Sequence, residues 1–212
     1  MAVYAIIVAA GKSRRMGEGT NKLLLPLRGK TVIENTLDLF CQESRFAGII
    51  VVTGDPFIKE LAKDRGCLLA SGGDRRQDSV VSGLKLLKDE DYVFIQDGAR
   101  PFLNQEGLDA CFEMVQEKKS FVMATQITDT LKCVEGDTVI KTLKRENHVL
   151  VQTPQGSFVG LLKKAYDFVE RQKASVSDDA SALEMIGEKI FVVFSGEDNR
   201  KITTPEDLRY LI

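Results

Sequence analysis

Short runs of apolar residues recur along the chain, at residues 3–9, 49–53, 67–70, 92–96, 121–126, 149–152 and 190–194. Most are apolar throughout, with little alternation between apolar and polar positions. A strand of that kind has both faces covered, as in a parallel sheet packed between helices. Helical patterns fit between most of these runs. Thr31-Val32-Ile33-Glu34 reads as a capping box, and Leu37 and Phe40 follow on one face. Asp55-Pro56 and Thr204-Pro205 each read as an N-cap followed by proline at the first helical position, and Asn104 and Ser157 are candidate caps for two more helices. Alternating strand and helix units predict an α/β fold with a doubly wound, mostly parallel sheet.

Residues 128–147 break this rhythm. Two short β-prone runs flank a turn signal at Glu135-Gly136-Asp137, the pattern of a β-hairpin arm. The segment holds too few apolar residues for a core of its own, so it must lean on something else. Residues 1–212 otherwise read as one domain, of a length that suits one and with no long linker or internal repeat.

Composition narrows the function classes. Hydrophobic residues make up 43% and charged residues 28%, ordinary for a globular protein. A formal net charge of -2 offers no bulk basic field for nucleic acid, so any anion site must be local. Cys41, Cys67, Cys111 and Cys133 lack C-x-x-C spacing, which argues against a disulfide framework or zinc site and for reduced thiols. The N-terminal apolar run is too short to span a membrane, and its charges follow it, the reverse of a secretory signal. The expected location is the cytoplasm.

In open parallel sheets ligands bind beyond the carboxyl ends of the strands, so the chemistry is sought in the loops there. The first strand is followed by Ala9-Ala10-Gly11-Lys12-Ser13-Arg14-Arg15-Met16-Gly17 and then Asn21-Lys22. Small residues let backbone N–H groups approach phosphate oxygens, and Arg15 and Lys22 add the full charges that phosphoryl transfer needs. A solvated basic turn reads equally from spacing alone. The dinucleotide fingerprint fails at Ser13 and Met16, and a P-loop fails at Leu24. Ser71–Ser79 is a second glycine-bearing loop, which can meet a base edge or simply cap a helix. Asp97 follows the fourth strand and can hold Mg²⁺ or a sugar hydroxyl, or pair structurally with Arg100. Thr153-Pro154-Gln155 and the 195–201 loop are candidates for a second substrate, with plain polar loops as the alternative. His148 is the sole histidine and no G-x-S-x-G elbow is present, so a catalytic triad is not expected.

Taken together, AAGKSRRMG with Asn21-Lys22, GGDRRQDSV, QDGARPF, DTLK, QTPQ, SDDASALE and DNRKITTPEDL resemble the 2-C-methyl-D-erythritol 4-phosphate cytidylyltransferase family along essentially the whole chain. Ser13 stands where a glycine is commoner in that family. The resemblance implies a Rossmann-like nucleotidyltransferase fold and transfer of CMP from CTP to a sugar-alcohol phosphate, with Mg²⁺ required. It implies a CTP site of Ala9, Ala10, Gly11, Gly72, Asp74 and Ser79, with Arg15 and Lys22 stabilising the transition state. Asp97, Arg100, Thr130, Arg145, Thr153, Ser177 and Lys201 are implied on the sugar-phosphate side, Asp97 also being the candidate metal ligand. A homodimer is expected, each arm packing on the partner. The alternatives are a ribitol 5-phosphate cytidylyltransferase and a nucleotide-binding protein without turnover.

Overall fold

The computed structural model describes residues 1–11, 21–195, 199–204 and 206–207. Its central sheet contains β1 (Val3–Val8), β4 (Gly48–Val52), β5 (Leu68–Ala70), β6 (Tyr92–Asp97), β7 (Ser120–Gln126), β10 (Val149–Phe158) and β11 (Ile190–Phe194), in the order β11-β7-β10-β6-β1-β4-β5. Every described pairing in this sheet is parallel except those of β10, which runs antiparallel to both β6 and β7. The runs in β1, β4 and β6 mark strands covered on two sides, whereas Leu68 of β5, Leu150 and Val151 of β10, and Val192 and Phe194 of β11 remain exposed.

Alternate residues of each strand feed two apolar layers. Ala5 and Ile7 of β1, with Tyr92 and Phe94 of β6, face α1 (Val32–Gln42), α2 (Pro56–Asp64) and α4 (Gln105–Gln116). Ile6, Val93 and Ile95 face the opposite layer, formed by α3 (Arg76–Leu84), α5 (Val159–Arg171) and α6 (Asp179–Glu184). The first layer is rich in aromatic contacts, with Phe94 edge-on to Phe46 and Phe121 at centroid distances of 5.3 and 5.1 Å. Each such ring, fully buried, contributes on the order of 2–3 kcal/mol from area alone.

Local signals in the sequence account for most helix starts. Thr31 and Glu34 form the reciprocal capping box, and Asp55 caps α2 with Pro56 behind it. Asn104 caps α4 by accepting from the Gly107 N–H. Ser157 does not cap α5. It is fully buried inside β10, sharing a 2.8 Å hydrogen bond with Ser120, and Phe158 takes the cap position without a side-chain bond. The cap expected at Thr204-Pro205 falls partly outside the described residues. Thr204 itself donates its N–H to Asp207.

Two hairpins stand off the main sheet. β2 (Pro26–Leu27) and β3 (Lys30–Thr31) meet around Arg28 and Gly29, both at positive φ, as a tight two-residue hairpin requires. This hairpin was not expected from the sequence pattern. The arm does form, as β8 (Lys132–Glu135) and β9 (Thr138–Thr142), with Gly136 at φ 54° in its turn. Val134, Val139 and Ile140 on the arm are all more than half exposed. The four cysteines are free thiols, Cys41 and Cys67 having their Sγ atoms 3.5 Å apart. Among the described residues no helix is long and apolar enough to cross a membrane.

Candidate active site

A cavity of about 380 Å³ opens at the carboxyl edge of the parallel strands. It is floored by the ends of β1 and β6, through Val8, Ala10, Asp97 and Gly98, and walled by the 72–79 loop, Lys22, Lys201 and Thr203. The topology explains this convergence. β1 and β6 are adjacent and in register, Val8 beside Asp97, so the loops leaving them emerge side by side.

The nucleotide-side residues lie together. Ala9 is buried and hydrogen-bonded to Val52, whereas Ala10 and Gly11 line the cavity. Gly72 passes so close to Ala10 that a Cβ at 72 would lie 2.3 Å from the alanine methyl. Ser79, in the first turns of α3, accepts the Gly73 N–H at 3.0 Å and so ties the glycine loop to the helix. Asp74 stands on the rim.

Lys22 is positioned by its neighbour. The Asn21 side chain accepts the Leu23 N–H at the head of a single 3-10 turn, Lys22–Leu24, and donates to Asp55 at 2.8 Å. The ammonium of Lys22 donates to the Ile202 carbonyl at 2.7 Å, which draws it across the cavity toward Lys201 and Thr203. Arg15, and the first loop from 12 to 20, lie outside the described residues, as do 196–198.

Asp97 is the electrostatic centre. Its carboxylate is 2.7 Å from Lys201, 3.5 Å from Arg76 and 3.7 Å from Arg100. Burial would raise its pKa, but Lys201, Arg76 and Arg100 outweigh that and hold it down at about 2. It is therefore a fixed anion at neutral pH. Its backbone N–H donates to the Thr153 hydroxyl at 3.0 Å, and Thr153's carbonyl accepts from Asn199, whose own carbonyl accepts from Arg100. Thr153 and Arg100 are thus brought to the floor behind Asp97, not to the cavity surface.

Three residues expected on the sugar-phosphate side lie elsewhere in this chain. Ser177 is exposed and hydrogen-bonds Ser181 at 3.1 Å. Thr130 and Arg145 are exposed on the arm segment, Arg145 donating to the Thr128 carbonyl and lying 3.4 Å from Glu146. None of the three lines the cavity. His148 is exposed on the same segment, against the Lys144 carbonyl.

Arg76, Asp179 and Tyr166 were given no role by the sequence reading. Arg76 lines the cavity and joins Asp97 to Asp179, and Tyr166 donates to Asp179 at 2.5 Å. A signal was present: an arginine in the first turn of a helix opposes the helix dipole and needs a reason to be there.

A magnesium ion suits this donor set. It characteristically takes one or two carboxylates and completes its shell with phosphate oxygens and water. Asp97 and Asp74 both line the cavity and are carboxylates of that kind, with the oxygens of Asp97 already facing Arg76, Lys201 and Arg100. Among the described residues no three acidic, histidine or cysteine side chains form a preformed cage.

An edge that offers glycine-loop backbone to one polyanion and ammonium groups to another is suited to bring two phosphate esters together, as in the nucleotidyltransferase class. The family profile described as "IspD: 2-C-methyl-D-erythritol 4-phosphate cytidylyltransferase" matches residues 3–211, and the chain belongs to that family. It is 35% identical to the protein of that description from Halalkalibacterium halodurans, covering 98% of this chain and 94% of the relative. It is 40% identical to one from Prochlorococcus marinus, covering 98% and 96%. The crystal structure of the Francisella tularensis enzyme superposes with a TM-score of 0.82 at 33% identity, covering 99% of this chain and 98% of that one. The 4-diphosphocytidyl-2C-methyl-D-erythritol synthase from Anaerococcus prevotii gives 0.85 at 29% identity, covering 99% and 96%.

Proposed function

We propose that the protein joins CMP from CTP to the phosphate of 2-C-methyl-D-erythritol 4-phosphate, releasing pyrophosphate, with Mg²⁺, as a cytoplasmic homodimer. Family membership supports the reaction. The observation that carries the assignment of residues is the pairing of Lys201 with Asp97 in the cavity that Lys22 also lines.

CTP lies along Ala9, Ala10, Gly11, Gly72, Asp74 and Ser79, the last three toward cytosine. A substrate phosphate oxygen, already ionised at neutral pH, attacks the α-phosphorus in line, so no general base is needed. Lys22 and Arg15 offset the charge that gathers on the transferring phosphoryl group. Lys201 and Arg145 aim the attacking phosphate, and Asp97, Arg100, Thr130, Thr153 and Ser177 complete that side. Asp97, together with the triphosphate, would hold Mg²⁺, which would supply neutralisation of phosphate charge.

The exposed position of Arg145 and the exposed apolar residues of the arm support a two-fold dimer in which each arm completes the partner's site. Pyrophosphate release from CTP with a panel of sugar phosphates tests the reaction. Methylerythritol phosphate should outrun ribitol 5-phosphate; equal or reversed preference would overturn the substrate, and CTP binding without release would overturn turnover itself.

A further inference from the structure

Arg76 sits where electrostatics alone disfavours a cation. It is the first residue of α3, where the N–H dipoles already point outward, and its side chain is only 28% exposed. Two carboxylates hold it there. Asp179 lies at 2.7 Å and is 1% exposed; Asp97 lies at 3.5 Å. Asp179 is fixed in turn by the Tyr166 hydroxyl from α5. Guanidinium, phenol and both carboxylates therefore form one chain from α5 and α6 to the cavity floor.

Lys201 pairs with the other side of Asp97 and differs in kind. It lies on the loop beyond β11, 33% of its side chain is exposed, and it ends in a compact charge on a flexible stem. The Arg76 fork reaches two carboxylates with different nitrogens, Nη2 on Asp179 and Nε toward Asp97, and the close contact to the buried Asp179 holds it in place.

We propose that Arg76, clamped by Asp179 and Tyr166, is a fixed countercharge of Asp97 beside Arg100 at 3.7 Å, and that this frees Lys201 to leave Asp97 for the incoming sugar phosphate. The inference rests on the cytidylyltransferase reading above. A buried carboxylate stripped of its close cations becomes an uncompensated charge, which is strongly unfavourable and would keep Lys201 in place. With Arg76 immobile, Lys201 can exchange one anion for another. Arg76 is in this sense a positioning residue, and Asp179 acts through it.

The test is a double-mutant cycle among Asp179→Asn, Tyr166→Phe and Asp97→Asn, followed by pyrophosphate release and by CTP affinity. Asp179→Asn should lower kcat/KM for the sugar phosphate on the order of tenfold and Tyr166→Phe by roughly a third of that on a logarithmic scale, within the coupling range of residues in one network. CTP affinity should stay within about twofold, since the glycine loop and Ser79 are untouched. In the Asp97→Asn background, Asp179→Asn should add less than about twofold, because its target is gone. Fully additive losses, or losses that fall on CTP affinity, overturn the countercharge role. Tyr166→Phe carries the cycle if Asp179→Asn lowers the unfolding midpoint below the assay temperature. A wild-type protein that releases no pyrophosphate with any sugar phosphate sinks the functional reading instead, whereas an active wild type with additive variants sinks the coupling alone.

Discussion

Lys22 stands across the cavity because Asn21 is pinned from two sides, by the Leu23 N–H and by Asp55. Asp55 also caps α2, so one carboxylate both starts a helix and steadies a cation's neighbour. Lys22→Ala should lower turnover on the order of a hundredfold, as removal of one charge stabiliser does elsewhere, and Arg15→Ala similarly. Steady-state turnover of the folded variants checks this; near-normal rates would remove the residue from the role. Away from the site, Glu43 shows what a single carboxylate does for stability. Hydrogen bonds from the Arg45 side chain, against the opposing effect of burial, lower its pKa from 4.5 to about 2, while the Arg45 guanidinium lies 4.1 Å from the Phe112 ring centroid. The folded pKa is below the unfolded one, so the stabilisation is complete above about pH 5 and is lost as pH falls from there toward 2. Because Arg45 is itself partly exposed, its worth is on the order of 1–2 kcal/mol. Urea unfolding of Glu43→Gln against wild type should therefore differ at pH 7 and converge near pH 2.

Secondary-structure elements make contact here with little tolerance. The 72–79 loop leans on the loop after β1 through Gly72 and Ala10, where a methyl group would come within 2.3 Å. Gly72→Ala should push these loops apart and raise the KM for CTP by roughly tenfold, with turnover at saturation changed less, because ground-state binding is what the loop supplies. Deeper in the sheet, a Cβ at Gly156 would strike the Phe121 ring at 2.3 Å. Gly156→Ala should destabilise by about 1–3 kcal/mol through overpacking, read as a lower unfolding midpoint. Strands such as β1, β4 and β6 were legible because covered strands are apolar on both faces, and the caps at Thr31, Asp55 and Asn104 because capping is local chemistry. The second half of β10 was not. Its residues Thr153, Gln155 and Ser157 are buried yet polar, satisfied by Asp97, Asp178, Ala180 and Ser120, partners far away in sequence. For the same reason the Arg76–Asp179–Tyr166 chain could not be read from spacing. Its members are close only after α3, α5 and α6 have packed on one face.

At the scale of the whole molecule, the proposed substrate residues Thr130 and Arg145 lie on the arm and outside the cavity, and subunit mixing tells whose site they serve. If Arg145 serves the partner, a Lys22→Ala chain mixed with an Arg145→Ala chain restores roughly a quarter of wild-type activity, since about half the dimers are mixed and each keeps one intact site. No recovery after confirmed subunit exchange places Arg145 in its own chain's site. The arm's point of attachment carries a consequence of a different sort. Gln126 at the end of β7 faces Val149 at the start of β10 across an antiparallel pair, so the chain leaves the sheet and re-enters it at one doorway. The arm is thus an excursion, and the sheet has no topological need of it. Replacing residues 128–147 with a two-residue Asn-Gly turn shortens a loop whose closure entropy varies only slowly with length. If the arm holds the proposed dimer together, the trimmed protein should keep the native circular dichroism spectrum while its unfolding midpoint no longer depends on protein concentration, the mark of a fold whose partnership has been cut away cleanly.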